Sequence, residues 1–302
     1  MEDNKTNMEI KLRGFRSCVS TAMRTVFGNI TNLIKGNWKM LLPLIILMAA
    51  INTCFDSIMP GIMYVGFEFH GLLLLTISIL LIIAYFLAYA VAYSIINKQG
   101  IMWNIKRLLW LLPVNFAFAL TFTILGLIAG FIYASFSKNP MQIPLLNMIG
   151  IFLLTVPVAV IFCLPLAFVN CRYMVEPKLK LRKSLWESYA AGMRNWGFIF
   201  ITYFAAILCS MILAAVLCSP TIIIQTVLNV SSYGTAAYGD LSGLPSYFIP
   251  LDFVISIYSS MIYVIILLFT TYTGYYVYQT VICKLLARKE MRKQLADSNG
   301  DD

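Results

Sequence analysis

A chain of 302 residues that is 60% hydrophobic and 12% charged lies outside the range of soluble domains, which average about 45–50% apolar and about 25% charged. Its net charge of +9 at pH 7 needs no nucleic acid, because basic residues retained on one side of a membrane, against anionic headgroups, account for it. One histidine and seven cysteines exclude a multi-histidine iron or zinc centre within the chain and give no disulfide framework.

The first predicted element is a basic amphipathic helix over residues 11–36. Phe15, Val19, Met23, Val26, Phe27, Ile30, Leu33 and Ile34 recur at helical spacing, with Arg16, Arg24, Asn32 and Lys35 largely between them. Such a helix lies in the headgroup plane with its apolar face down. The alternative is an apolar face packed on protein.

Six apolar runs follow, over residues 38–59, 71–96, 108–134, 145–171, 196–218 and 252–283. Beyond Asp252 at its edge, the last five contain no charged residue. Roughly 20 apolar residues cross a hydrocarbon core of about 30 Å. Lipid admits only helices and closed barrels, and these runs lack the period-two alternation of barrel strands. The fold expected is therefore all-α, a single polytopic membrane domain over 1–302 with six transmembrane helices.

The charges lie between the runs. Residues 1–39 hold seven Lys and Arg, the interval after the second run holds Lys98, Lys106 and Arg107, residues 172–194 hold six, and five follow from Lys284. Twenty-one of the 22 thus fall on one side of the predicted membrane, Lys138 being the exception. That asymmetry places both termini in the cytoplasm. Residues 284–302 read as a polar cytoplasmic tail. A second amphipathic helix is predicted over 179–195. Pro177 ends the preceding run, Ser184 and Glu187 have capping-box spacing, and Leu181, Leu185, Trp186, Tyr189 and Met193 form its apolar stripe.

A shift of 158 residues superposes Asn37-Trp38 on Asn195-Trp196 and Arg24 on Arg182. In both places an amphipathic helix ends in Asn-Trp where Trp anchors at the interface. With Leu41-Leu42-Pro43-Leu44 opening the first run, these features resemble a set of bacterial multi-span proteins that includes the membrane domain fused to some glycerophosphodiester phosphodiesterases. The resemblance implies a helical membrane module without established chemistry. The hydrolytic domain of those fusions has no counterpart here, so their reaction is not carried over.

Small residues suggest packing faces: Ala84, Ala88 and Ala92; Gly126 and Gly130; and Ala206, Ser210, Ala214 and Cys218. They serve packing within one bundle or a homodimer. Pro113, Pro157 and Pro165 fall within runs, and two in the fourth run predict a kink. The sixth run is longer than a bilayer needs and must tilt or project. Tyr272, Tyr275, Tyr276 and Tyr278 near its end read as an interfacial belt, or else as a binding platform. The interval from Ser219 to Asp252 reads as a mobile outer loop holding the sequon Asn229-Val230-Ser231 and a turn over residues 239–243. Cys54 and Cys218 both fall near outer run ends, which leaves one disulfide open.

Chemistry is mostly absent. Proton and ion pathways show ionisable groups within spans, and the central parts of these runs have none. The polar candidates are Asn52, Asn115, Asp56, His70 and Asp252. Asp56, Glu68 and His70 offer three ligands to a divalent ion if the first outer loop folds back, although solvated loop residues are the plainer reading. No phosphate loop, dinucleotide fingerprint or Ser–His pair appears. The expectation is a non-enzymatic membrane scaffold or envelope-associated module, with no catalytic residue, cofactor or metal. The alternative is a permease for an apolar or zwitterionic solute. The expected partners are membrane lipids, through anionic headgroups at the cytoplasmic face, with a protein partner or second copy open.

Overall fold

The computed structural model describes residues 12–65, 67–136, 144–238 and 244–298. They form α1 (Phe15–Phe27), α2 (Ile30–Val65), α3 (Phe67–Asn97), α4 (Ile101–Phe136), α5 (Pro144–Val175), α6 (Leu181–Arg194), α7 (Trp196–Leu217), α8 (Ser219–Tyr238) and α9 (Phe248–Ser298), with no strand among the described residues. Lys138 and the turn over 239–243 lie outside them.

Six of these helices are long and apolar enough to cross a membrane: Ile30–Ser57, Gly71–Asn97, Ile101–Ile128, Pro157–Val175, Trp196–Leu217 and Phe248–Arg292. Their outward surfaces carry large apolar side chains such as Leu72, Ile82, Phe116, Leu127, Ile212 and Val254. In the most apolar window of α4 only 6% of the residues are buried. Exposed apolar surface on this scale needs lipid around it. The chain is an all-α, multi-pass integral membrane protein.

Four segments differ from their sequence reading. The stretch expected as one surface helix, 11–36, is divided. Gly28 accepts the break because a Cβ there would lie 2.5 Å from the Arg24 carbonyl oxygen. Past Asn29 the chain continues without interruption from Ile30 into the first span, and Asn37 Nδ2 donates to the Leu33 carbonyl at 2.9 Å.

The capping box at Ser184 does not form. Lys180 occupies the N-cap of α6 with no side-chain cap, and Ser184 is buried in the packed face.

The loop expected after the fifth run is largely a helix. Pro220 sits in the first turn of α8, where its missing N–H would have no intrahelical partner anyway. Ile224 is buried and Asn229 is exposed on this helix. The expected tail is helical through Ser298, so α9 has 51 residues, roughly 76 Å at 1.5 Å per residue. No interfacial length accommodates that, and the charged end from Lys284 onward projects as helix.

The described residues gather into two compact units. The first takes the chain through Val19, Lys106–Phe204 and Thr273 onward; the second takes Ser20–Ile105 and Ala205–Tyr272. The boundary falls within α1, α4, α7 and α9. The first unit closes around Phe168 of α5, Ala191 of α6, Ile199 of α7 and Val277 and Val281 of α9.

In the second unit α2 and α3 pack along one another, with Ala84, Ala88 and Ala92 buried as close-approach positions. Tyr85 and Tyr263 contact at 4.8 Å between ring centres. The corner from α3 to α4 turns on Lys98, whose φ is 56°. Asn104, fully buried, receives a hydrogen bond from Asn97 Nδ2 on its Oδ1 at 2.7 Å and donates to the Gly100 carbonyl at 3.2 Å.

Candidate functional site

In the second unit, α2, α8 and α9 bring two carboxylates together. Asp56 and Asp252 lie within range of each other's charge, and Asp252 is only 3% exposed. Gln225 Nε2 of α8 donates to Asp56 Oδ1 at 3.2 Å. The buried Thr53 hydroxyl faces Asp252. Below Asp252, Ser256 and Ser260 follow at helical spacing on the same face of α9, and both are buried. Thr221 and Ser259 share a hydrogen bond that ties α8 to α9. Asn52 is half-buried, four residues before Asp56 on the same face of α2. Two unlinked sequence candidates thus form a pair, with a donor, Gln225, from a helix read as a loop.

The remaining candidates separate. Asn115 belongs to the first unit, where Asn170 Nδ2 donates to its Oδ1 at 3.0 Å and joins α4 to α5. Interhelical amide bonds of this kind hold membrane helices together. The side chains of Glu68 and His70 lie outside the described residues. Among the described residues no group of three His, Cys, Asp or Glu converges as a metal site. All seven cysteines are free thiols, so Cys54 and Cys218 are not bridged.

A second polar cluster, in the first unit, escaped the sequence reading. The Arg107 guanidinium donates to the carbonyls of Pro177 at 2.7 Å, Glu176 at 3.1 Å and Leu179 at 3.2 Å. It stacks over the Tyr173 ring at 3.8 Å. Arg172 Nε pairs with Glu176 Oε1 at 2.9 Å, and its Nη1 donates to Ser188 Oγ at 3.1 Å. Tyr278 Oη donates to the same Glu176 oxygen at 2.9 Å. The turn between α5 and α6 is thereby fixed from α4, α6 and α9. A signal existed: between His70 and Gly239 the only acids are Glu176 and Glu187, both inside a basic interval.

The same network explains how α6 sits. Its packed face is small: Ser184, Ser188, Ala191 and Gly192. A Cβ at Gly192 would meet Pro165 of α5 at 3.1 Å, tighter than ordinary contact, so glycine suits this approach. Pro165 has no N–H, which leaves the Ile161 carbonyl without its helical donor. Trp196 Nε1 donates to that carbonyl at 3.1 Å, and Tyr189 Oη donates to the Phe162 carbonyl at 3.1 Å. The apolar stripe expected on α6 is divided: Trp186 is 80% exposed and Met193 is exposed, whereas Leu181, Leu185 and Tyr189 are half-buried.

At the start of α1, Arg13 Nη1 donates to Gln279 Oε1 at 2.9 Å and lies over the Tyr276 ring. Gln279 Nε2 donates to Tyr275 Oη at 2.8 Å. Cys18 is fully buried and its Sγ lies 3.6 Å from Thr280 Oγ1. The Thr280 hydroxyl donates to the Tyr276 carbonyl, so the thiol is the donor. Burial pushes the Cys18 thiol above its ordinary pKa, against the lowering by Thr280 and by Arg13 and Lys284. The α1 face centred on Cys18, Ala22 and Val26 is thus inside the protein.

No protein family, curated protein or solved structure matches this chain.

Proposed function

We propose that this protein is a non-enzymatic scaffold or envelope-associated module of a bacterial cytoplasmic membrane, with both termini in the cytoplasm. The reading places it beside the stand-alone relatives of the phosphodiesterase-fused membrane domain. One observation carries it. The basic surface helix α6 is locked by the Arg107–Glu176–Arg172 network on one side and offers Trp186, with exposed Arg182 and Lys183 beside it, on the other. A rigid amphipathic platform of this kind suits recruitment to headgroups or to a protein partner. Arg107, Arg172 and Glu176 serve that rigidity: Arg107 closes on backbone carbonyls, and Arg172 and Glu176 close on each other.

A second reading, a permease, is favoured by the Asp56–Asp252 pair. Ionisable groups buried within a membrane helix bundle are costly and commonly serve solute or ion pathways. The Ser256 and Ser260 hydroxyls continue the polar face along α9. Reconstitution distinguishes the two readings. Proteoliposomes bearing an internal pH dye or a potassium-sensitive dye are expected to leak no faster than protein-free vesicles, and Asp252→Asn is expected to leave that rate unchanged. A flux that the wild-type protein supports and Asp252→Asn removes, with folding intact, would replace the module by the permease.

A further inference from the structure

We propose that the cleft where α1 and α2 meet α9 in the second unit binds an anionic glycerophospholipid, one acyl chain in the cleft and the phosphate beside Lys35 and Lys39. The cleft has a volume of about 190 Å³ at the elbow around Gly28 and Asn29. Val26, Ile30, Trp38 and Leu42 line one wall and Val264 and Ile265 the other; no polar surface reaches it. Along α2 the lining runs from Ile30 to Ile45, and the part from the level of Lys35 to Ile45 is about 15 Å of helix axis. One leaflet of hydrocarbon is about 15 Å deep, half of a core of about 30 Å. A slot that is long, narrow and apolar fits a hydrocarbon chain and does not orient a compact polar solute.

The headgroup assignment rests on charge. Lys35 precedes Trp38 by three residues and Lys39 precedes Leu42 by three, so both stand beside the lip of the cleft. Both lysines are exposed, and Trp38 is 53% exposed, as a ring at headgroup level would be. No acid lies between Glu9 and Asp56, and none lies on the α9 wall from Met261 to Leu268. The positive lip is therefore not answered by a carboxylate from either wall. The proposal rests on the placement of α2 in a membrane and not on which end faces the cytoplasm.

Photolabelling of the full-length protein in phosphatidylcholine nanodiscs tests it, and both leaflets are accessible there whatever the orientation in cells. The probe is a phospholipid with a diazirine in its acyl chain, bearing either a glycerol or a choline headgroup. Crosslinks are expected to concentrate on residues 30–45 and 261–268, with the phosphatidylglycerol probe ahead by about tenfold or more.

Filling the cleft by Ile265→Trp is expected to cut that labelling about fivefold or more while the outward face of α4 labels as before. Leu42 is half exposed, so Leu42→Trp gives the same test if Ile265→Trp does not fold. Lys35→Gln with Lys39→Gln is expected to equalise the two headgroups and leave the chain in the cleft. Four results would overturn the proposal: even labelling of the cleft and α4, labelling that both tryptophan variants leave unchanged, equal labelling by the two probes in the wild-type protein, or a co-purified polypeptide crosslinked in place of lipid.

Discussion

Lys98 holds the corner between α3 and α4 in the left-handed region, at φ 56°. For a residue with a Cβ that conformation costs about 1–2 kcal/mol. The residues around it make the cost bearable: Ser94 Oγ donates to the Gln99 carbonyl at 2.6 Å, and the Gln99 N–H donates to Asn97 Oδ1 at 2.9 Å. The Lys98 side chain is exposed, so its removal costs no packing. Lys98→Gly is expected to stabilise the protein by about 0.5–1 kcal/mol, the steric relief less the added freedom of glycine in the unfolded chain. Thermal unfolding in detergent checks this, with Lys98→Val expected to shift the midpoint in the opposite direction. Arg107 is the other residue whose geometry exceeds its role in a charge count. Its three carbonyl acceptors sit in one turn, and a planar fork can reach them where an ammonium cannot.

Among the elements, the junction of α5, α6 and α7 shows how a local defect becomes a contact. Pro165 opens a carbonyl, Trp196 fills it, and Gly192 lets α6 come near enough for both. Trp196→Phe keeps the ring and removes the donor, and it is expected to destabilise by about 1–2 kcal/mol. In a Pro165→Ala background the restored N–H takes the Ile161 carbonyl, and the same change is expected to cost close to nothing. A double-mutant cycle measures the coupling; additive losses would contradict this account of the junction.

The repeated Asn-Trp dipeptide was legible in the sequence, and both asparagines do the same thing. Asn37 donates to the Leu33 carbonyl and Asn195 to the Ala191 carbonyl, each at 2.9 Å. The task of Trp196 was not legible, since a proline and a tryptophan 31 residues apart carry no mark of their contact. The surface helices were only half legible. Periodicity locates an apolar stripe but does not say whether lipid or protein meets it. On α1 the small residues Cys18 and Ala22 centre the buried face, and on α6 serines and glycine pack inward while Trp186 faces out.

For the molecule as a whole, the number of spans followed from run length and hydropathy, because the cost of unpaired backbone in lipid leaves few other structures. Two features did not follow. The interval after the fifth run reads as a glycine-bearing outer loop, yet α8 forms there, and Thr221 and Gln225 tie it to α9 and α2. The grouping into two units divides continuous helices, and helix-by-helix reading has no signal for such a boundary. The carboxylate pair was half legible for the same reason: Asp56 and Asp252 were visible singly, and their meeting is a tertiary fact.

The proposed topology puts 21 of the 22 Lys and Arg on the cytoplasmic side of six spans. Cysteine accessibility in a cysteine-free background tests it most directly. Lys183→Cys on α6 and Tyr238→Cys at the end of α8 both replace exposed side chains. With a membrane-impermeant maleimide on intact cells, Tyr238→Cys is expected to label at once and Lys183→Cys only after permeabilisation. Labelling of Lys183→Cys in intact cells, or protection of Tyr238→Cys until the cells are opened, would contradict it.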